Sequence, residues 1–224
     1  MNKSCAVVIF NFIDFDVHDH LERRTSSLRD VERLEKLFHL FNTDIEKIIN
    51  PNLQEFKEKI DKLSKFDFTN YESILLIYMS HGDTENTISC KDGKFNFLEE
   101  SKKIFRENST LNKKPKFITV QACKGSFDAD FYAYDDKKDL SDDSHITAIL
   151  MSSFEGFVSR LGDDNGSYFI EVFTEMLRTS WNKKPFLQIL KDVSKEFNVS
   201  RHESAGTIQI RPNVCDDISN FILN

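Results

Sequence analysis

Between Ala6 and Ile210, short apolar runs rich in β-branched residues alternate with segments of helical period, an alternation that restricts the chain to a sheet covered by helices. Strands are expected at Ala6–Phe12, Ile45–Ile49, Ser73–Met79, Lys116–Gln121, Ile146–Ser152 and Thr207–Ile210. Several are continuously apolar, Ile74-Leu75-Leu76-Ile77 above all, as strands buried on both faces should be. The expected fold is therefore α/β, with a mostly parallel central sheet of about six strands and helices on both faces.

Four helices are expected from their apolar stripes. Leu28, Val31, Leu34, Leu37, Phe38 and Phe41 mark the first, and Leu53, Phe56, Ile60 and Leu63 the second. The third is marked by Phe169, Ile170, Phe173, Met176 and Leu177, the fourth by Phe186, Leu187, Leu190, Val193 and Phe197. Spacing alone explains these phenylalanines as core. Cys90-Lys91-Asp92-Gly93-Lys94-Phe95 carries the Asp-Gly signature of a tight hairpin. Only one stretch has no period: Ser126–His145 holds seven Asp and several small residues, and it reads as an exposed loop.

A net charge of -7 argues against broad affinity for nucleic acid or an anionic membrane surface. The apolar stretches Cys5–Ile13 and Ile74–Met79 fall short of the roughly 20 residues that span a bilayer. Although the first of these has the length of a signal-peptide core, Asn11 interrupts it and Asp14 and Asp16 follow, so it reads as a strand. Cys5, Cys90, Cys123 and Cys215 form no CxxC pair and have no His at metal-ligand spacing. No metal and no cofactor is expected, and a reducing, cytoplasmic compartment fits this cysteine usage. His18, His20 and His39 have no matched partners and read as solvated.

The chemistry concentrates at two strand ends, Ser80-His81-Gly82 and Gln121-Ala122-Cys123-Lys124-Gly125. Neighbouring parallel strands deliver their C-terminal ends to one edge of the sheet, so His81 and Cys123 are expected to face each other there. A free thiol is only a few per cent ionised at neutral pH, and a nucleophilic Cys needs an imidazole to take its proton. Acyl transfer also needs donors for the developing oxyanion. Gly82 lets a substrate approach its N–H closely, and Cys123 supplies its own.

With these residues in order, the sequence resembles the caspase family of cysteine peptidases, whose signature is Gln-Ala-Cys-[Arg/Gln/Gly]-Gly with a His about 50 residues upstream. Here the separation of His81 and Cys123 is 42 residues. Ser-His-Gly, Gln-Ala-Cys-Lys-Gly, the acidic loop and Gly166-Ser167-Tyr168-Phe169-Ile170 follow in the family's order, and the resemblance spans nearly the whole chain from Cys5. It implies a catalytic domain without a prodomain, made of a large-subunit-like region at 1–143, with a linker at about 126–145, and a small-subunit-like region at 144–224. It also implies a cysteine endopeptidase that cuts after aspartate, acts in programmed cell death or its regulation, and is made as a zymogen.

The resemblance assigns His81, Cys123 and Gly82 to catalysis, and an aspartate pocket to Gln121 and Arg24, with Arg23 one residue away as the alternative. The family's Gly and Asp near this Arg are Ser26 and Leu28 here. Its second pocket Arg normally closes a Ser-Trp-Arg triplet, which reads Ser159-Arg160-Leu161 in this chain. Leu161 cannot grip a carboxylate; Ser159 and Arg160 are the substrate-binding residues the resemblance leaves here, Arg160 standing at the Trp position and reaching the pocket only by a shift of the loop. Lys124 keeps the charge of the family's Arg but not its planar fork. Maturation cuts are implied after Asp143, Asp136 or Asp130, with Asp143 favoured because Ser144 follows it; an uncut acidic loop is the equal alternative. Partners implied are protein substrates with aspartate before the cut, and a second copy or another caspase joined through the C-terminal strand. Asp216 and Asp217 near such a two-fold axis would oppose self-association. A catalytically weak relative that binds and modulates a true caspase is the alternative function.

Overall fold

A computed structural model of the chain describes residues 3–17, 21–122, 146–152, 161–162, 166–201, 207–210 and 221–223, excepting the side chains of 161–162, 197–201 and 207–210. The order of elements is β1 (Cys5–Asn11), α1 (Ser27–Phe38), β2 (Thr43–Ile49), α2 (Leu53–Leu63), β3 (Ile74–Met79), β4 (Thr87–Cys90), β5 (Gly93–Asn96) and α3 (Phe97–Glu107). Then come β6 (Lys116–Gln121), β7 (Ala148–Met151), β8 (Leu161–Gly162), β9 (Gly166–Ser167), α4 (Tyr168–Ser180), α5 (Phe186–Arg201) and β10 (Thr207–Ile210).

Six strands form the central sheet in the order β10-β7-β6-β3-β1-β2. All neighbours are parallel except β10, which runs antiparallel to β7. The sheet is buried on both faces because period-2 alternation sends apolar side chains to each side. Val7, Ile9, Leu75, Ile77 and Phe117 meet α1, α4 and α5, while Val8, Phe10, Leu76, Tyr78 and Ile118 meet α2 and α3. At the outer edge β2 is different. It exposes Asp44, Glu46 and Lys47, and these pair with Lys3, Lys59 and Glu35.

The helices form where the stripes place them, with two differences. Leu28 is 42% exposed and lies off the buried face, whereas Asp30 is wholly buried on it. The sequence reading also lacks α3, although Phe97, Leu98, Ile104 and Phe105 recur at helical spacing and are buried. Its start is hidden because β5 ends at Asn96, and that same residue caps α3 by accepting the N–H groups of Leu98 and Glu99. No Gly or Pro separates the strand from the helix. In α2 a full capping box is present: Asn52 accepts from Glu55 N–H at 2.8 Å, and Glu55 accepts from Asn52 N–H at 2.9 Å.

Candidate active site

Strands β1, β3 and β6 end in register, Asn11 beside Met79 and Met79 beside Gln121. Their C-terminal ends thus make one edge, and two residues past Met79 stands His81. The hairpin β4–β5 holds this histidine's backbone. Ser89 N–H donates to the His81 carbonyl at 2.9 Å, and Ser80 Oγ, at a buried position, donates to the Ser89 carbonyl at 2.5 Å. Gly82 bridges Ile88, with the bonds made by the flanking His81 and Asp83, so its own N–H points away from the hairpin. The hairpin therefore does more than turn the chain. Its loop is Lys91-Asp92, and Gly93 already pairs with Cys90, so the Asp-Gly pair straddles the turn's end instead of forming it.

The His81 ring is half-buried, with the Phe15 ring edge-on at 4.7 Å. Its Nε2 lies 2.7 Å from the Glu22 carbonyl oxygen. A carbonyl only accepts, so Nε2–H donates, and in the neutral ring the lone pair is left on Nδ1. That tautomer is a base at Nδ1. Cys123, which follows the last described residue of the β6 end, lies outside the described residues, as do Ser159, Arg160, Asp130, Asp136, Asp143, His18 and His20.

Of the two candidate arginines, the structure turns one inward and one outward. Arg23 is exposed and bonds Asp14 at 2.6 Å. Arg24 is 1% exposed. Its Nη1 donates to the Phe12 carbonyl at 2.9 Å, and its Nη2 donates to Gln121 Oε1. Because β1 and β6 flank β3, this guanidinium crosses the strand that carries His81. Its backbone is equally fixed: Arg24 N–H donates to Ile13 O at 3.0 Å, and Ser27 Oγ donates to Arg24 O at 2.6 Å.

Asp30 is the polar residue that the sequence reading passes over. The signal was an acid on an otherwise apolar stripe. Its two carboxylate oxygens accept the Ser167 N–H at 2.9 and 3.0 Å, and Arg33 Nη1 lies 3.6 Å away. Burial pushes the Asp30 carboxyl up to about 6, against the pull of Ser167, Arg24 and Arg33 toward the charged form. Cys5 and Cys90 are buried, and burial raises both thiols, Cys5 to about 12. Neither is a nucleophile at neutral pH. His39 is not alone, since Glu35 lies 3.8 Å from its Nε2. Among the described residues no group of three His, Cys, Asp or Glu side chains could hold a metal ion.

Comparison with known proteins gives the same outline. The family model of the caspase domain matches residues 4–217. Caspase-6 of Gallus gallus is 22% identical over 211 residues, covering 85% of this chain and 69% of that protein. Caspase-3 of Bos taurus is 26% identical over 210 residues, covering 89% and 74%. Among solved structures, that of caspase-1 from Spodoptera frugiperda superposes with a TM-score of 0.77 at 19% identity, covering 96% of this chain and 93% of its own.

Proposed function

The chain belongs to the caspase family, and from that premise we propose that it is a cysteine endopeptidase that cuts proteins after aspartate, in programmed cell death or its regulation. One observation carries the reading. A buried guanidinium and a glutamine amide, Arg24 and Gln121, meet at the sheet edge where His81 presents Nδ1. That is a cation for a substrate carboxylate beside a base for a thiol.

In this reading Cys123 Sγ attacks the scissile carbonyl carbon and its proton passes to His81 Nδ1. The N–H groups of Gly82 and Cys123 receive the oxyanion. His81 then protonates the departing amine, and water hydrolyses the thioester with His81 again as base. In this reading the Arg24 guanidinium, held by Phe12 O and Gln121 Oε1, is the cation that pairs with the substrate's aspartate carboxylate. Turnover of fluorogenic peptides ending in Asp, against the same peptides ending in Asn, tests the assignment. The expected result is Asp-dependent hydrolysis lost in Cys123→Ala and His81→Ala, with KM raised in Arg24→Ala. No thiol-dependent turnover at high enzyme concentration overturns it.

A second reading, a weak relative that binds and modulates an active caspase, is favoured by Ser159-Arg160-Leu161, where the family's second pocket Arg is replaced by Leu161. A hydrogen bond to a charged group contributes about 1.5–3 kcal/mol, so this change alone lowers kcat/KM about tenfold or more. In this second reading β10, the outer strand of the sheet, is where the partner joins. Co-purification with a caspase from the same cells, and a change in that caspase's activity, are its expected results.

A further inference from the structure

We propose that Asp30 is a positioning residue for the aspartate pocket, a clamp that fixes the Arg24 side of the pocket to the β8–β9 ribbon on its other side. The proposal rests on the peptidase reading above for what the pocket binds, but the clamp itself is a matter of geometry. Asp30 lies in the first turn of α1, six residues after Arg24, and Ser27 ties the Arg24 carbonyl to that same turn. Both Asp30 oxygens take the single N–H of Ser167, the residue that ends β9 and caps α4 through Ile170 N–H. Ser167 pairs in register with Leu161 of β8. Leu161 is the last residue of the triplet that stands where the family has its second pocket Arg. One carboxylate therefore joins α1, whose Ser27 holds the Arg24 carbonyl, to the β8–β9 hairpin that begins at Leu161.

The fit at this joint is specific. Gly166 has φ +82°, and a Cβ built on it would stand 2.4 Å from Asp30 Oδ1. Only glycine lets the ribbon come so close. Arg33 and Arg24 supply positive charge to the carboxylate from the helix side. A buried acid held only for packing would not need an amide, two cations and a glycine in the left-handed region around it.

Asp30→Ala and Asp30→Asn test the clamp through two readouts. The first is peptide kinetics set beside alkylation of Cys123 by iodoacetamide, a reagent too small to need the pocket. Asp30→Ala should raise KM for Asp-ending peptides about tenfold while kcat and the alkylation rate stay within about twofold, and Asp30→Asn, which keeps one acceptor, should recover part of the loss. The second is solvent exchange of the Arg24 guanidinium protons by NMR, which should quicken about tenfold in Asp30→Ala, less in Asp30→Asn. Unchanged KM and unchanged exchange overturn the proposal, and so does a parallel fall of kcat and alkylation, which marks general disruption. If the wild type cleaves nothing, the peptidase reading fails by itself and guanidinium exchange still decides the clamp. If Asp30→Ala does not fold, Asp30→Asn decides on the same two readouts.

Discussion

At the scale of single residues, Asp30 sets its clamping role against stability. Its carboxyl titrates near 6 in the folded protein, up from the ordinary 3.8. Between those values the native state holds a proton that the unfolded chain has released, so stability falls as pH rises through this window and levels off above it. The full shift corresponds to about 3 kcal/mol. Urea unfolding of wild type and Asp30→Asn at pH 4 and pH 7 should therefore show the variant gaining about 2 kcal/mol relative to wild type at the higher pH, since at pH 4 part of the window is already passed. A difference independent of pH would contradict the raised titration. The neighbouring arginines show what a sequence can and cannot tell. Arg23 and Arg24 are alike as letters, and only the fold decides that one bonds Asp14 in solvent while the other reaches Gln121 across a strand. The partner of His81 Nε2 is a main-chain carbonyl, at Glu22, which no side-chain pattern announces.

At the scale of elements, β4–β5 is a brace for the histidine. The Ser80 Oγ bond to Ser89 O and the Ser89 N–H bond to His81 O tie the end of β3 to the hairpin on buried ground. Removing the hydroxyl in Ser80→Ala leaves the Ser89 carbonyl without that donor. It should cost about 1–3 kcal/mol in denaturant unfolding and speed hydrogen exchange at the Ser89 amide. Exchange at Ser89 that does not change would show that the hairpin stands without this bond. Strands such as β1, β3 and β7 were legible because burial on both faces leaves nearly unbroken apolar runs, β2 and β10 only from shorter runs with β-branched residues, and four helices were legible from their stripes. What escaped was α3, whose pattern is as regular as theirs. A strand that runs into a helix at a shared Asn96 has no turn residue to mark the change of period.

At the scale of the whole molecule, the regions before and after the acidic segment are parts of one sheet. β7 lies between β6 and β10, and Phe117 of β6 meets Phe186 of α5 edge-on at 4.6 Å. Leu223 lies in the same core as Ile9 and Leu75. A chain cut at a protease site engineered between residues 126 and 145 should therefore elute as one species in native size exclusion and separate only in denaturant, because the burial that holds the pieces together is that of the intact domain. Two fragments eluting apart in native buffer would show that the covalent link, and not the shared core, keeps the halves together. The two borders of this sheet are unlike. One, β2, carries ionised side chains along its length, while β10 is a short uncharged run, Thr207-Ile208-Gln209-Ile210. A strand arriving at the β2 border would have to lie against ionised side chains, so that border resists being extended by further strands.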